Sequence, residues 1–330
     1  MKKVTISDVA RKAGVSRTTV SYVLNGKGKI SSEVVERVRS VMKRTGYKPR
    51  ARSARPGDGG LPNITAGAVA LIFPAVDMAR LRASWGGEYV DLILHGCEMK
   101  LREHGLKMVV VRMQSDGLPE EAAARNVDGL IAVATSGPDA ADQPAVELFG
   151  PGRGEVDIVT PDDPRIGVIA AECLLERKCR RVVFANAQAH HVAFAIRKET
   201  FTRRLAEAGV DVRAVEVEVG GEGAEPAEDL LLREVLKGRR KPDGVYIPGS
   251  DADVLALYTG LLAAGVHPAR DLSFVCCLNS GMHLQSLKSA MCIDIRVEDQ
   301  ARMAVDTLLW RLRNRAAPPV RVMVAARMWR

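Results

Sequence analysis

The stretch Val4-Thr-Ile-Ser-Asp-Val-Ala-Arg-Lys-Ala-Gly-Val-Ser-Arg-Thr-Thr-Val-Ser-Tyr-Val-Leu-Asn25 reads as two short helices around a tight turn. Thr5 is an N-cap with Asp8 in a capping-box position, ahead of Val9, Ala10 and Ala13 at helical spacing. Gly14-Val15-Ser16 makes the turn. Ser16 caps a second helix that runs through Val20, Val23 and Leu24 and stops near Asn25-Gly26. Past Lys27-Gly28-Lys29, Ser31 or Ser32 caps a third helix. Its Val34, Val38, Val41 and Met42 lie on one stripe, and it ends at Gly46. Two short helices joined by a three-residue turn containing Gly make a helix-turn-helix, and the third closes its core.

Charge points the same way. Residues 1–55 hold 15 Lys and Arg against 3 Asp and Glu, a net of +12, while the rest of the 330-residue chain carries −4. A basic head on a mildly acidic body implies a polyanion as partner. Nucleic acid is favoured over a membrane surface, because the head lacks an apolar face studded with Trp or Phe. Hydrophobic residues make up 47 % and charged residues 27 %, which suits soluble globular domains with sizeable cores. No run approaches the ~18 apolar residues of a membrane span, and no signal peptide opens the chain. Cys97, Cys173, Cys179, Cys276, Cys277 and Cys292 show no CxxC or metal-ligand spacing, so they read as buried apolar residues in a reducing cytoplasm.

In a helix-turn-helix the second helix reads the major groove with its N-terminal residues. Arg17, Thr18 and Tyr22 are the candidate base readers. Arg17 can make a bidentate contact with a guanine edge, and Thr18 or Tyr22 can meet a thymine methyl or a base edge. Thr5, Ser16, Thr19, Ser21, Asn25 and Lys29 are assigned to phosphates, which fix register without specifying sequence. Helix patterns alone equally allow a solvated basic bundle with no specific partner.

The 4–25 run, with Tyr47-Lys48-Pro49 after the third helix, closely resembles the head of the LacI/GalR (lactose-repressor) family of bacterial transcription regulators, ungapped over about 49 residues. The resemblance implies a dimer that reads a roughly palindromic operator, one head per half-site. In that family a hinge helix follows Tyr-x-Pro, forms on DNA and wedges a leucine into the minor groove. Here Ala51-Arg52-Ser53 resembles the hinge, but Ala54 stands in the leucine's place, two residues are missing before it, and Pro56-Gly57 would stop a helix at once. Two readings stand: a plain linker, or a minor-groove contact in which Arg52 and Arg55 supply charge beside the small wedge Ala54.

From residue 64 the pattern turns to apolar strands alternating with helices. Strands are expected at 67–73, 107–112, 127–133, 156–160, 181–185, 212–219, 243–247, 272–278, 291–295 and 320–326. Helices are expected at 85–104, 164–177, 193–208, 226–238, 251–264, 281–288 and 297–314, the last lying on the first lobe. This predicts parallel sheets covered on both faces, and some 265 residues suit two α/β lobes better than one sheet. The expected organisation is an all-α helix-turn-helix head at 1–49, a hinge or linker at 50–63, and a two-lobed periplasmic-binding-protein-like body at 64–330.

The body's Val127-Asp128-Gly129-Leu130-Ile131, Arg180-Arg181-Val182-Val183-Phe184, Arg197-x-x-x-Phe201 and Pro242-Asp243-Gly244-Val245 resemble the family's effector domain. The resemblance implies a cleft that binds a sugar or related metabolite, with Arg197 gripping ligand oxygens through its planar fork. An exposed helix-end arginine is the other reading of Arg197. Tyr89, Asp162, Asp251 and Asn279 complete the implied effector set. Asp163 competes with Asp162 for its role, and Asn279 stands where the family carries a carboxylate. Trp85 or Tyr89 can stack on a ligand ring or pack in the core. The segment between Arg112 and Val127 is shorter than the family's, so one helix of the first lobe is clipped.

No catalytic constellation assembles: no GxxxxGK[ST], no GxSxG, and no metal or cofactor set. His190-His191 reads as a loop pair, and Cys276-Cys277 as core. The expected function is a homodimeric, sequence-specific transcription regulator of the repressor type, not an enzyme. It is cytoplasmic and nucleoid-associated, and its operator affinity responds to a metabolite between the lobes. The alternative is an effector-independent DNA-binding protein whose body serves only dimerisation.

Overall fold

The computed structural model describes residues 5–25, 30–45, 47, 64–75, 87–114, 120–122, 126–135, 143–150, 152, 156–217, 226–238, 241–268, 270–279 and 281–329. The chain divides into two compact units, Met1–Thr65 and Ala66–Arg330. The hinge residues Arg52, Ala54 and Arg55, together with Lys29 and Trp85, lie outside the described residues.

In the head, α1 (Ile6–Ala13), α2 (Arg17–Asn25) and α3 (Ser32–Thr45) form as the sequence predicts. Asp8 N–H donates to the Thr5 hydroxyl at 3.3 Å, and Thr5 N–H donates back to the Asp8 carboxylate at 2.9 Å. Gly14 ends α1 at φ 65°, a left-handed geometry that a Cβ would strain. Val9, Ala10, Ala13, Val20, Val38 and Val41 form the core, with Val15, Val23, Val34, Met42 and Tyr47 packed around it.

The described residues of the body form two six-stranded sheets. In the first lobe the order is β11-β5-β4-β3-β1-β2, all parallel: β1 (Ala68–Phe73), β2 (Lys107–Arg112), β3 (Gly129–Val133), β4 (Ala145–Leu148), β5 (Asp157–Pro161) and β11 (Arg321–Val324). In the second lobe it is β12-β10-β9-β8-β6-β7: β6 (Val182–Asn186), β7 (Val212–Glu216), β8 (Gly244–Ile247), β9 (Ser273–Leu278), β10 (Met291–Asp294) and β12 (Arg327–Met328). Helices α4 (Gly87–Glu103), α5 (Asp163–Glu176), α6 (Val192–Glu207), α7 (Ala227–Leu236), α8 (Asp251–Ala263) and α9 (Val297–Arg313) alternate with them. As expected, α9 packs on α4 and on β3, β4 and β5 of the first lobe.

Three expectations need correction. Ala145–Leu148 is a strand that the sequence reading left out: four residues including Glu147 give too little periodicity, yet all four are buried. The helix expected at 281–288 is a single 3-10 turn, Met282–Gln285. The strand expected at 320–326 is split, because the chain passes between lobes after Val324; β12 then joins the second sheet antiparallel to β10, so that sheet is not purely parallel. Asp294, at the end of β10, secures two of the inter-lobe passages, accepting from Arg296 N–H at 2.7 Å and from Arg327 Nε at 2.9 Å.

Carboxylates organise each lobe, buried at Asp128 and Asp157 and partly exposed at Asp243. Asp128 accepts the N–H groups of Ala66, Gly67 and Ala68 at the entry to β1. Asp243 does the same for Arg180 and Arg181 at the entry to β6. In the first lobe Asp157 grips Arg311 of α9 in a fork, at 2.7 Å to Nε and 2.6 Å to Nη2. The Arg311 guanidinium also donates to the carbonyls of Asn314, Ala317 and Pro318, which fixes the return of the chain into β11.

Candidate functional site: a DNA-reading head and an inter-lobe cleft

On the head, Arg17 and Thr18 open α2 and are exposed. Their placement follows from the cap beneath them: the Ser16 hydroxyl accepts from Thr19 N–H at 3.0 Å and shares a hydrogen bond with the Thr19 hydroxyl at 2.8 Å. The Thr5 hydroxyl likewise donates to Asp8 at 2.6 Å. Thr5, Ser16 and Thr19 are thus all engaged in caps, which leaves Arg17 and Thr18 as the described outward groups of this helix end. Ser21, Tyr22 and Asn25 lie on α2, and their side chains lie outside the described residues. Arg37, Arg39, Lys43 and Arg44 of α3 add exposed cationic groups.

In the body, Arg197 is not an exposed helix-end residue but only 3 % exposed. Its Nε donates to Asp163 Oδ1 at 2.8 Å, Nη2 lies 2.7 Å from the same oxygen, and Nη1 donates to the Pro248 carbonyl at 2.5 Å. Of the two aspartates where the chain passes between lobes, Asp163 therefore holds the arginine. Asp162 is the N-cap of α5, accepting from Arg165 N–H at 3.1 Å. A glycine makes the meeting possible. Gly167 lies one turn past Asp163 on the same face of α5, and a Cβ there would overlap the Thr200 hydroxyl and the Arg197 carbonyl of α6.

Around this pair the lobes contribute aromatic walls. Tyr89 of α4 and Phe149 after β4 pack at 5.4 Å between ring centroids. From the second lobe, Phe194 lies 5.4 Å from the guanidinium carbon and stacks on His191 at 4.1 Å. Burial opposes the Arg197 charge, but Asp163, with Cys277 and Tyr246, holds its pKa above the usual value. Burial also raises the Asp163 carboxyl despite its partner, and pushes the Tyr89 hydroxyl up. His191 keeps an exposed edge, yet burial of its ring, with Arg197 nearby, takes its pKa down to about 4, so it is neutral at pH 7.

Asp251 and Asn279 are also brought together. Asp251 opens α8 and its carboxylate accepts from Asn279 N–H at 2.8 Å. Sequence reasoning did not select Phe149 or Phe194. The signal for Phe194 was available, since it precedes Arg197 by three residues on one helix face. Among the described residues no group of three or more His, Cys, Asp or Glu could hold a metal ion. No helix among them is long and apolar enough to cross a membrane.

Comparison with known proteins decides what this arrangement belongs to. Residues 5–50 match the model for bacterial regulatory proteins of the lacI family, and residues 171–330 match a periplasmic binding protein-like domain. The chain is 27 % identical over 326 residues to the sucrose operon repressor of Streptococcus mutans, covering 95 % of this chain and 94 % of that one. The head is that of the lacI family of bacterial regulatory proteins. The chain is also 24 % identical over 294 residues to the ribose operon repressor of Escherichia coli K12, covering 82 % of each. Its fold is similar to that of the transcriptional regulator CelR in complex with cellobiose, with a TM-score of 0.66, 23 % identity and 99 % of each chain covered. It is similar as well to the lac repressor dimer bound to operator and the anti-inducer ONPF, with a TM-score of 0.65, 18 % identity, and 100 % and 98 % covered. The chain is a DNA-binding transcription regulator, and the relatives it matches are named operon repressors.

Proposed function

We propose that this regulator represses transcription as a cytoplasmic, nucleoid-bound homodimer, each head reading one half-site of a pseudo-palindromic operator. A small metabolite between the lobes, a sugar or related compound, sets operator affinity. Residues 1–49 are the reading head, 50–63 the linker, and 64–330 the effector-binding and dimerisation body. The observation that carries the reading is the opening of α2, where Arg17 and Thr18 face outward on a chain end, residues 1–55, of net charge +12. Arg17, Thr18 and Tyr22 read bases. Thr5, Ser16, Thr19, Ser21, Asn25 and Lys29 face phosphates, and Arg52 and Arg55 add charge in the minor groove beside Ala54.

Support for the effector site comes from the meeting of Tyr89, Asp163 and Arg197 at the junction of the lobes. A guanidinium carries five donors in one plane, more than Asp163 and Pro248 absorb, so Arg197 can also grip a ligand oxygen between the Tyr89 and Phe194 rings. Asp162, Asp251 and Asn279 border this site. Ligand closes the lobes, and operator affinity changes by the difference in its binding to the two states.

Arg17→Ala relaxes base preference at one half-site position and costs about 1–3 kcal/mol per contact. Arg52→Ala weakens binding to all sequences about equally. Both are read by titrating the variants against operators carrying single-base changes. An unchanged preferred motif in Arg17→Ala sinks the recognition-helix assignment.

A further inference from the structure

Cys276 and Cys292 are residues that neither the head nor the cleft uses. They are direct partners in the register of the parallel strands β9 and β10, and they point to the same face of the sheet. The Cys276 thiol donates to Cys292 Sγ at 3.5 Å. Neighbouring strands run about 4.8 Å apart, inside the roughly 4.4–6.8 Å that a disulfide spans between Cα atoms. Bond formation needs the sulfurs to close by about 1.5 Å, which side-chain rotation can supply without moving either strand.

The third thiol nearby is excluded by alternation. Cys277 follows Cys276 and points through the opposite face, where its sulfur meets the Tyr246 hydroxyl at 3.4 Å. The two members of the pair differ in character. The hydrogen bond from Cys276 lowers the Cys292 thiol, whereas burial and that same bond raise Cys276. Cys292 is therefore the more acidic sulfur of the pair, and Cys276 stands beside it as a resolving thiol. Leu284, Ala290 and Trp329, all partly exposed, pack against the core cluster that holds both thiols.

We infer that Cys276 and Cys292 are an oxidation site, converted by a hydroperoxide into an intramolecular disulfide that ties β9 to β10. Cys292 attacks the peroxide oxygen, giving its sulfenic acid and releasing water (an alcohol from an organic hydroperoxide). Cys276 sulfur then attacks Cys292 sulfur, forming the S–S bond and releasing a second water. With hydrogen peroxide, two thiols and one oxidant thus give one disulfide and two waters. The link closes the loop of residues 277–291, two residues before Asp294 at the passage between lobes.

The test exposes the full-length reduced protein to hydrogen peroxide, then denatures it, alkylates it and maps the digest by mass spectrometry. Expected is a linked pair of peptides containing Cys276 and Cys292, two hydrogens lighter than their sum and separated by dithiothreitol. In Cys292→Ser the same treatment leaves Cys276 alkylatable. Sulfoxide at the exposed Met323 verifies the exposure in the wild-type chain, so no variant is needed to decide the matter. Recovery of both thiols alkylated, or of Cys292 as sulfinic or sulfonic acid with Cys276 unlinked, overturns the inference.

Discussion

Arg311→Met is expected to cost the body about 3–5 kcal/mol, the cost of removing one partner from a buried ion pair. Asp157 is 1 % exposed and its two oxygens receive three donors: Arg311 Nε, Arg311 Nη2 and Val320 N–H. Methionine fills the volume but leaves that carboxylate without its cation, and three carbonyls at the end of α9 lose their donor. Urea denaturation followed by far-ultraviolet circular dichroism gives the number. The double variant Asp157→Leu with Arg311→Met should recover much of the loss, since two apolar side chains leave no buried charge behind. A single variant within about 1 kcal/mol of wild type contradicts the assignment, because that is the range of an exposed pair.

Arg197→Met has a comparable effect on stability and a second one on signalling. It strands Asp163, and the sign of the resulting pH dependence follows from that carboxyl. Burial already raises its folded pKa above the ordinary carboxylate value, and losing Arg197 raises it further. A folded pKa above the unfolded one contributes stability at low pH that is lost as pH rises. The variant should therefore be least impaired near pH 4 and lose ground progressively from there toward the raised folded pKa, with the steeper slope compared with wild type. Denaturant midpoints across that window check it. Thermal shift against a panel of sugars and related metabolites checks signalling, since a ligand that binds only the folded state raises the wild-type midpoint. The variant should show no shift with that ligand. An equal shift in both proteins would remove Arg197 from the effector site.

Much of this was legible because local chemistry and fold agree. The Thr5–Asp8 box, the Gly14 turn and the Ser16 cap needed no long-range information, and all three stand where the sequence puts them. The Asp-Gly pairs were readable as family markers but not as devices. Their role appears only once β3 lies beside β1 and β8 beside β6, so that Asp128 and Asp243 reach the entry of the neighbouring strand. The glycines that follow admit Leu308 of α9 in one lobe and Cys179 in the other.

What escaped the sequence was set by tertiary context. β4 is too short to show a period, and the 320–326 run looks continuous because nothing local records that the chain changes lobes within it. Asp162 and Asp163 are adjacent and chemically alike. Helix geometry separates them, since the first residue outside α5 must cap it and the next turns toward Arg197. The pairing of Cys276 with Cys292 depends on strand order and register, which the fifteen residues of intervening sequence do not reveal.

The central claim is that the head reads sequence, not merely charge. It is tested by in-vitro selection of the purified protein on random duplexes at two salt concentrations. Phosphate contacts fade steeply as salt rises, whereas base contacts keep their discrimination. The expected result is a pseudo-palindrome that survives the higher salt, with two half-sites for the two heads of a dimer. Enrichment that disappears with salt and leaves no motif would contradict it and reduce the head to a phosphate binder.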